Sequence, residues 1–375
     1  MKSFIRQMNK YPACQQDIQN YLPKIKDSFM MKLNLTSPKI GITALVPPEI
    51  IFASKCVPYD LNNIIPNSNI TPRSKLCAWT AIWREMLLSG DISVNGLVVV
   101  AGGDCHNALV DGQKAASFTK VHYFFYPFDG EHSYLEKQMR LLAEFLTKKV
   151  KRSVKDKETN KKFDSSLNVL YPNNLNKIGN KIKKLKEELY ALDKIRLEKC
   201  VCSSEVFRLL VSASDMQSNL LKMERELKKL KKYIHSKDKK EAHRIALVGV
   251  PPIYHDFHKV ASSFGLEIVF DELPYEFIRH SGNSFSTLAK SYSKYTFARE
   301  IKYRLGFLEK ELRKRKIDGI IHYTQFACHH VLEDEIIRKE LSFPILTVQG
   351  DLPRKTPEQI KLRLEAFAEM LSKKG

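Results

Sequence analysis

The chain contains no apolar run approaching the roughly 18 residues that a membrane helix needs. Its opening residues, MKSFIRQMNKYPACQQDIQN, lack the apolar centre of a secretion signal. The expectation is a soluble protein of the cytoplasm with no membrane contact. There is also no Cys-x-x-Cys pair, the close spacing that a structural zinc site usually draws on. Seven cysteines, an odd number scattered between positions 14 and 328, argue against a disulfide framework. Metal binding, redox chemistry or inert buried thiols remain. Acidic residues are scarce relative to basic ones, 42 against 62, which leaves a net charge of +20.

That charge predicts attraction to phosphate-rich ligands, either nucleic acid or an acidic cofactor such as a coenzyme A thioester. A solvated lysine-rich surface accounts for it equally well. Much of the excess lies in KKVKRSVKDKETNKK and ERELKKLKKYIHSKDKK, which read as connections and helix faces rather than a shaped patch, so nucleic acid is not the expected partner. Hydrophobic residues make up 43% of the 375, enough for a sizeable core and two or three domains.

Residues 39–150 alternate short apolar runs with helical patterns. IGITALVP, GLVVVAG and VHYFFYP read as strands, and PEIIFASK as a short helix with Pro48 near its start. RSKLCAWTAIWREMLLSG reads as a helix ending at Gly90, and EKQMRLLAEFLTKK as another. Residues 243–375 repeat the plan, with RIALVGVPP, LEIVFDELPYE, GIIHYTQFACHH, FPILTVQGD and a closing helix EQIKLRLEAFAEMLSKK. The echo is sharpest at Gly96 and Gly319, each starting an apolar run that reaches Cys-His nine residues on. Strands alternating with helices predict parallel sheets covered on both faces. The expected class is α/β, with two related doubly wound domains of the Rossmann or flavodoxin-like kind. Residues 1–38 are expected to be a helical segment covering one of them. Residues 151–242 are expected to be a helical connection. There Ile178, Ile182, Leu185, Leu189 and Leu192 form one apolar stripe, read as packing on its own domain in preference to a coiled-coil partner.

In open α/β sheets ligands bind beyond the carboxyl ends of the strands. Cys105 and Cys328 fall there, each just past a strand and near a helix start, where the dipole favours a thiolate. If the halves pack face to face these two converge, and Cys77 can supply a third thiolate. Three thiolates from distant segments suit an iron–sulfur cluster with one open coordination site. The competing reading is that all three are buried and inert, since cysteine behaves as a small hydrophobe. His106, His329 and His330 are expected to support ligands by hydrogen bonds rather than to ligate. Cys200 and Cys202 are expected to have no metal role, and Cys200→Ala to leave metal content unchanged.

PPEIIFASKCVPYDL, KLCAWTAIWREMLLSG, VVVAGGDCHNAL, DGIIHYTQFACHHVLEDEIIRKELSFPILTVQGD and RLEAFAEML together resemble the subunits of the 2-hydroxyacyl-CoA dehydratase and benzoyl-CoA reductase family, in its D-component-like form. The resemblance covers roughly residues 40–150 and 243–372. It implies a [4Fe-4S] cluster held by Cys77, Cys105 and Cys328. It implies pairing with a second homologous subunit, an acyl-CoA substrate, and a separate ATP-hydrolysing iron–sulfur activator that injects one low-potential electron for a radical dehydration. Anaerobic operation follows. Glu49 matches the glutamate of the family's early helix and is a candidate catalytic base or positioning group, or else an acid favourable to the helix dipole. Other members imply two further expectations to be weighed: a homodimeric reductase with a double-cubane cluster, and a basic, non-catalytic binding protein on the same fold. Cys105-His106 stands where the family usually has Cys-Asp, and Ser54-Lys55-Cys56 where it has small residues.

Overall fold

The computed structural model describes residues 37–72, 77–102, 105–150, 167–198, 201–232, 234 and 242–373. The expected N-terminal helical segment, apart from Ser37 and Pro38, lies outside them, as do Cys14 and Cys200.

The described residues form two four-stranded parallel sheets. The first contains β1 (Lys39–Thr43), β2 (Val57–Asp60), β3 (Gly96–Gly102) and β4 (Val121–Phe125), in the order β2-β1-β3-β4. The second contains β5 (His243–Gly249), β6 (Leu266–Asp271), β7 (Gly319–Gln325) and β8 (Ile345–Gly350), in the order β6-β5-β7-β8. The two orders correspond strand for strand. Central β7 is buried along its whole length and β3 nearly so; β3 is a continuous apolar run, as is common for a strand covered on both faces, whereas β7 buries His322, Thr324 and Gln325 beyond its apolar start. The outer strands β4 and β8 are only half-buried over most of their length.

The two glycines that begin the paired echoes have one steric cause. A Cβ on Gly96 would meet the Phe145 ring at 3.2 Å, and a Cβ on Gly319 would meet the Phe367 ring at 2.9 Å. In each half the helix that closes the unit lays an aromatic ring against the start of the third strand, and only glycine leaves room.

The helices used below are α1 (Pro48–Ala53), α2 (Ala78–Ser89), α3 (His106–Ala115), α4 (His132–Glu144), α5 (Leu167–Ile195), α6 (Ser203–Val211), α7 (Leu220–Lys232), α8 (Phe257–Ser263) and α9 (Glu272–Arg279). Proline at the first position of α1 fixes φ where no N–H partner is needed, and Gly90 ends α2 in the left-handed conformation at φ 81°.

The helical middle binds the halves together. Ile182, Leu185, Leu189 and Leu192 of α5 are buried, and α5 packs against α1 of the first half and α9 of the second. The stripe is therefore consumed within the chain. One continuous core runs from Ile42 and Val98 through Leu189 to Val248 and Ile320. At the carboxyl end of α5, Asp193 accepts from Arg196 at 2.6 Å and from Arg315 at 2.5 Å. Arg196 also reaches Asp271 at 2.6 Å. Two acids and two guanidinium groups thus neutralise one another inside the protein, as buried charges must. Leu189→Ala is expected to cost about 2–5 kcal/mol, since both halves lose packing at once. A denaturant titration checks this, with loss of a single cooperative transition as the expected form.

Candidate functional site

Strands β1 and β5 are the points at which each sheet reverses its order, so the crevices beyond β1/β3 and β5/β7 are the ligand edges of this topology. All three cysteines singled out above stand at such an edge, and each is the residue that starts a helix. Cys77 precedes α2, Cys105 precedes α3, and Cys328 precedes a short 3-10 turn, His329–Glu333. Ala327, at φ 59°, turns the chain sharply after β7 and delivers Cys328. The two echoed segments meet: Asn107 Nδ2 donates to the Ala327 carbonyl at 2.8 Å, and the His106 and His329 rings lie 5.6 Å apart.

Cys77, Cys105 and Cys328 line one cavity of about 360 Å³. Its wall takes residues from the first half, from α6 and from the second half, including Trp79, Trp83, Phe207, His258, Gln325 and His329. That volume is at the low end for a small-molecule site. Cys77 and Cys328 are buried and Cys105 is half-buried. Burial, and then the neighbouring Cys328, push the Cys77 thiol up to about 12. Cys77 was expected to supply a third thiolate, and by itself it is held as the neutral thiol. Desolvation outweighs the dipole at Cys77, where backbone hydrogen bonds from Thr80 and Trp79 compensate only in part. The Cys105 sulfur does accept from the Ala108 N–H at 3.4 Å, as a helix cap.

Among the described residues no three His, Cys, Asp or Glu side chains converge as ligands of one metal ion would. The three thiols surround a space instead. A buried thiol whose ionisation is hindered by burial and by a second cysteine is a setting in which a metal cation can replace the proton. The donor set therefore fits a multi-iron group better than a single ion. Burial, and then His330, push His329 down to about 4, so its imidazole is neutral at pH 7. Its Nδ1 is buried without a hydrogen-bond partner. His330 Nδ1 bonds Glu333 at 2.9 Å, and Glu333 also pairs with Arg304.

Glu49 does not border the cavity. It is fully buried in α1, and its carboxylate accepts from Lys186 Nζ at 3.1 Å and from the Tyr292 hydroxyl at 2.9 Å. Lys186 also donates to the His280 carbonyl at 2.7 Å. Glu49 thus locks α1, α5 and the second half together. Sequence reasoning passed over Asp60 and His258, which do line the cavity. The available signal was the acid that ends the second strand in both halves, in VPYD and LEIVFD.

Two parallel-sheet halves closing on a cavity that three cysteines border define the class as an α/β protein with paired, related units. A family model for the 2-hydroxyglutaryl-CoA dehydratase D-component matches residues 43–371, through both halves and the middle, and the chain belongs to that family. A search of curated proteins returns no significant match. No helix among the described residues is long and apolar enough to cross a membrane.

Proposed function

We propose that the chain is the iron–sulfur subunit of an ATP-activated radical 2-hydroxyacyl-CoA dehydratase, with Cys77, Cys105 and Cys328 holding a [4Fe-4S] cluster. The observation that carries this is the meeting of three helix-starting cysteines, from two halves of the chain, around one cavity. When bound, such a cluster supplies a low-potential electron and one iron open to a substrate oxygen. The chain's own part is to exclude water and orient the acyl chain, for which Trp79, Trp83 and Phe207 supply the apolar wall. A second homologous subunit, an ATP-hydrolysing iron–sulfur activator and an acyl-CoA substrate are the partners this function requires, in the cytoplasm and without oxygen.

The test is anaerobic reconstitution with iron and sulfide, followed by addition of 2-hydroxyacyl-CoA thioesters. The expected result is a cluster chromophore whose visible spectrum changes on substrate addition, and enoyl-CoA formation once partner and activator are present. A well-folded chain that takes up no iron under these conditions would sink the proposal.

A further inference from the structure

The duplication places an aspartate at the carboxyl end of each second strand, Asp60 on β2 and Asp271 on β6. The two occupy opposite settings. Asp60 is 2% exposed and lines the cavity. Its carboxylate accepts from the Asn62 N–H at 2.9 Å and from Ser214, and among the described residues no cation pairs with it. The nearest charge is a second buried acid, Asp215, whose Oδ2 accepts from the Asp60 N–H at 3.0 Å. Around the pair stand Tyr59 on β2, Lys39 over the Tyr59 ring from β1, and Lys222 on α7, which draws weakly on Asp215. From α1 the packed acid is Glu49, already neutralised by Lys186. Arg208 of α6 lines the same cavity but pairs with Glu205 and Glu226.

Asp271 is buried between two donors, His258 Nε2 at 2.7 Å and Arg196 at 2.6 Å. His258 is itself buried, stacked on Phe207 at 4.1 Å, and lines the cavity that Asp60 lines. With Asp271 ionised, Nε2 carries the ring proton and Nδ1 is left as the base. Two features of the wall point independently to a polar ligand. Trp83 Nε1 and Gln325 Oε1 belong to fully buried side chains lining this cavity, and neither atom has a hydrogen-bond partner among the described residues.

We propose that Asp60 is the general acid and His258, oriented by Asp271, the general base of the elimination. The proposal rests on the dehydratase reading above. The C3–H bond breaks and its proton goes to His258 Nδ1. The electron pair becomes the C2=C3 π bond. The C2–O bond breaks with its pair, and the hydroxyl leaves as water with the proton of Asp60. His258 then passes its proton through the cavity to Asp60, which resets both groups. No net oxidation occurs, and the activator's electron is recovered at the end.

The paired settings separate the two acids as such a division of labour needs. Burial, and then Asp215, push Asp60 up to about 7, and burial pushes Asp215 up to about 6. Against the effect of burial, His258 and Arg196 hold Asp271 below the usual carboxylate range.

The test uses the full chain with its partner and activator, as Asp60→Asn and His258→Gln. Both variants are expected to keep the wild-type iron content and to lose dehydration by roughly 100-fold or more. A raised carboxyl destabilises the fold as it ionises. Asp60→Asn should therefore gain melting temperature over wild type as pH rises from about 4 to about 7, with no further gain beyond. With C3-deuterated substrate, release of the label into water should fall together with dehydration in both variants, because the C3–H and C2–O bonds break in one step. Asp215→Asn removes the repulsion and should shift the pH limb of activity downward. A pH-independent stability difference for Asp60→Asn, or dehydration within tenfold of wild type in either variant, overturns the assignment. An iron-loaded wild type that dehydrates no 2-hydroxyacyl thioester overturns the functional reading and the acid and base roles with it. The stability difference would still report whether Asp60 holds a proton.

Discussion

Cys328→Ala is expected to fall from about four irons per chain, the content of one [4Fe-4S] cluster, to well under one after anaerobic reconstitution. Cys328 is the only one of the three candidate ligands that comes from the second half, and it lies close enough to Cys77 to raise that thiol electrostatically. Without it the cavity keeps two cysteines, both from the first half. The second half is then tied to the site only through contacts such as Asn107 with the Ala327 carbonyl. Two thiolates leave two irons of a cubane without protein ligands, and the cluster exchanges into solution. The fold should survive, because Cys328 starts only a short 3-10 turn and makes no side-chain cap. Iron and sulfide assays beside a thermal melt check both halves of this expectation. Unchanged iron in a folded variant would remove Cys328 from the ligand set. The Cys77 thiol should also titrate lower in the variant, since the neighbouring thiol that helps to raise it is gone.

Lys186→Met is expected to cost about 3–5 kcal/mol of stability, the largest single-residue effect outside the cysteines. It leaves the Glu49 carboxylate fully buried with only the Tyr292 hydroxyl for company. Burial already draws the Lys186 pKa down against the pull of Glu49, so the pair is held by mutual need rather than by solvation. The double variant Lys186→Met with Glu49→Gln removes both charges and should recover most of the loss. Urea midpoints of the single and double variants measure the coupling directly. The double variant also decides the role of Glu49. If this residue is the locking acid that its contacts describe, the refolded double variant keeps its iron and its activity. If it is a catalytic base, activity disappears while stability returns.

How far the site could be read in advance depended on the range of the forces involved. β3 was legible because it is apolar at nearly every position, as a strand covered on both faces commonly is, and β7 by its opening Gly-Ile-Ile and its echo of β3. The α5 stripe was legible because a helix buries one face at a period of 3.6 residues. Glu49 was different. Next to Pro48 it looked like an acid favourable to a helix dipole, and nothing nearby in the chain revealed its partners. Lys186 lies 137 residues further on and Tyr292 lies 243 further on. The sharing of one cavity wall by Asp60 and His258 was equally out of reach, since the two belong to different halves.

What this sequence determined by itself was local and repeated: short apolar runs alternating with helical patterns in two halves, and a cysteine just beyond the third run of each. Periodicity acts over a few residues, so it is written in the order of the chain. Tertiary structure alone decided which thiols share a wall, that burial outweighs the helix dipole at Cys77, and that Glu49 meets Lys186 and Tyr292 inside the protein. Those outcomes depend on desolvation and on charges brought together by packing, and neither exists until the two halves close on the helices between them.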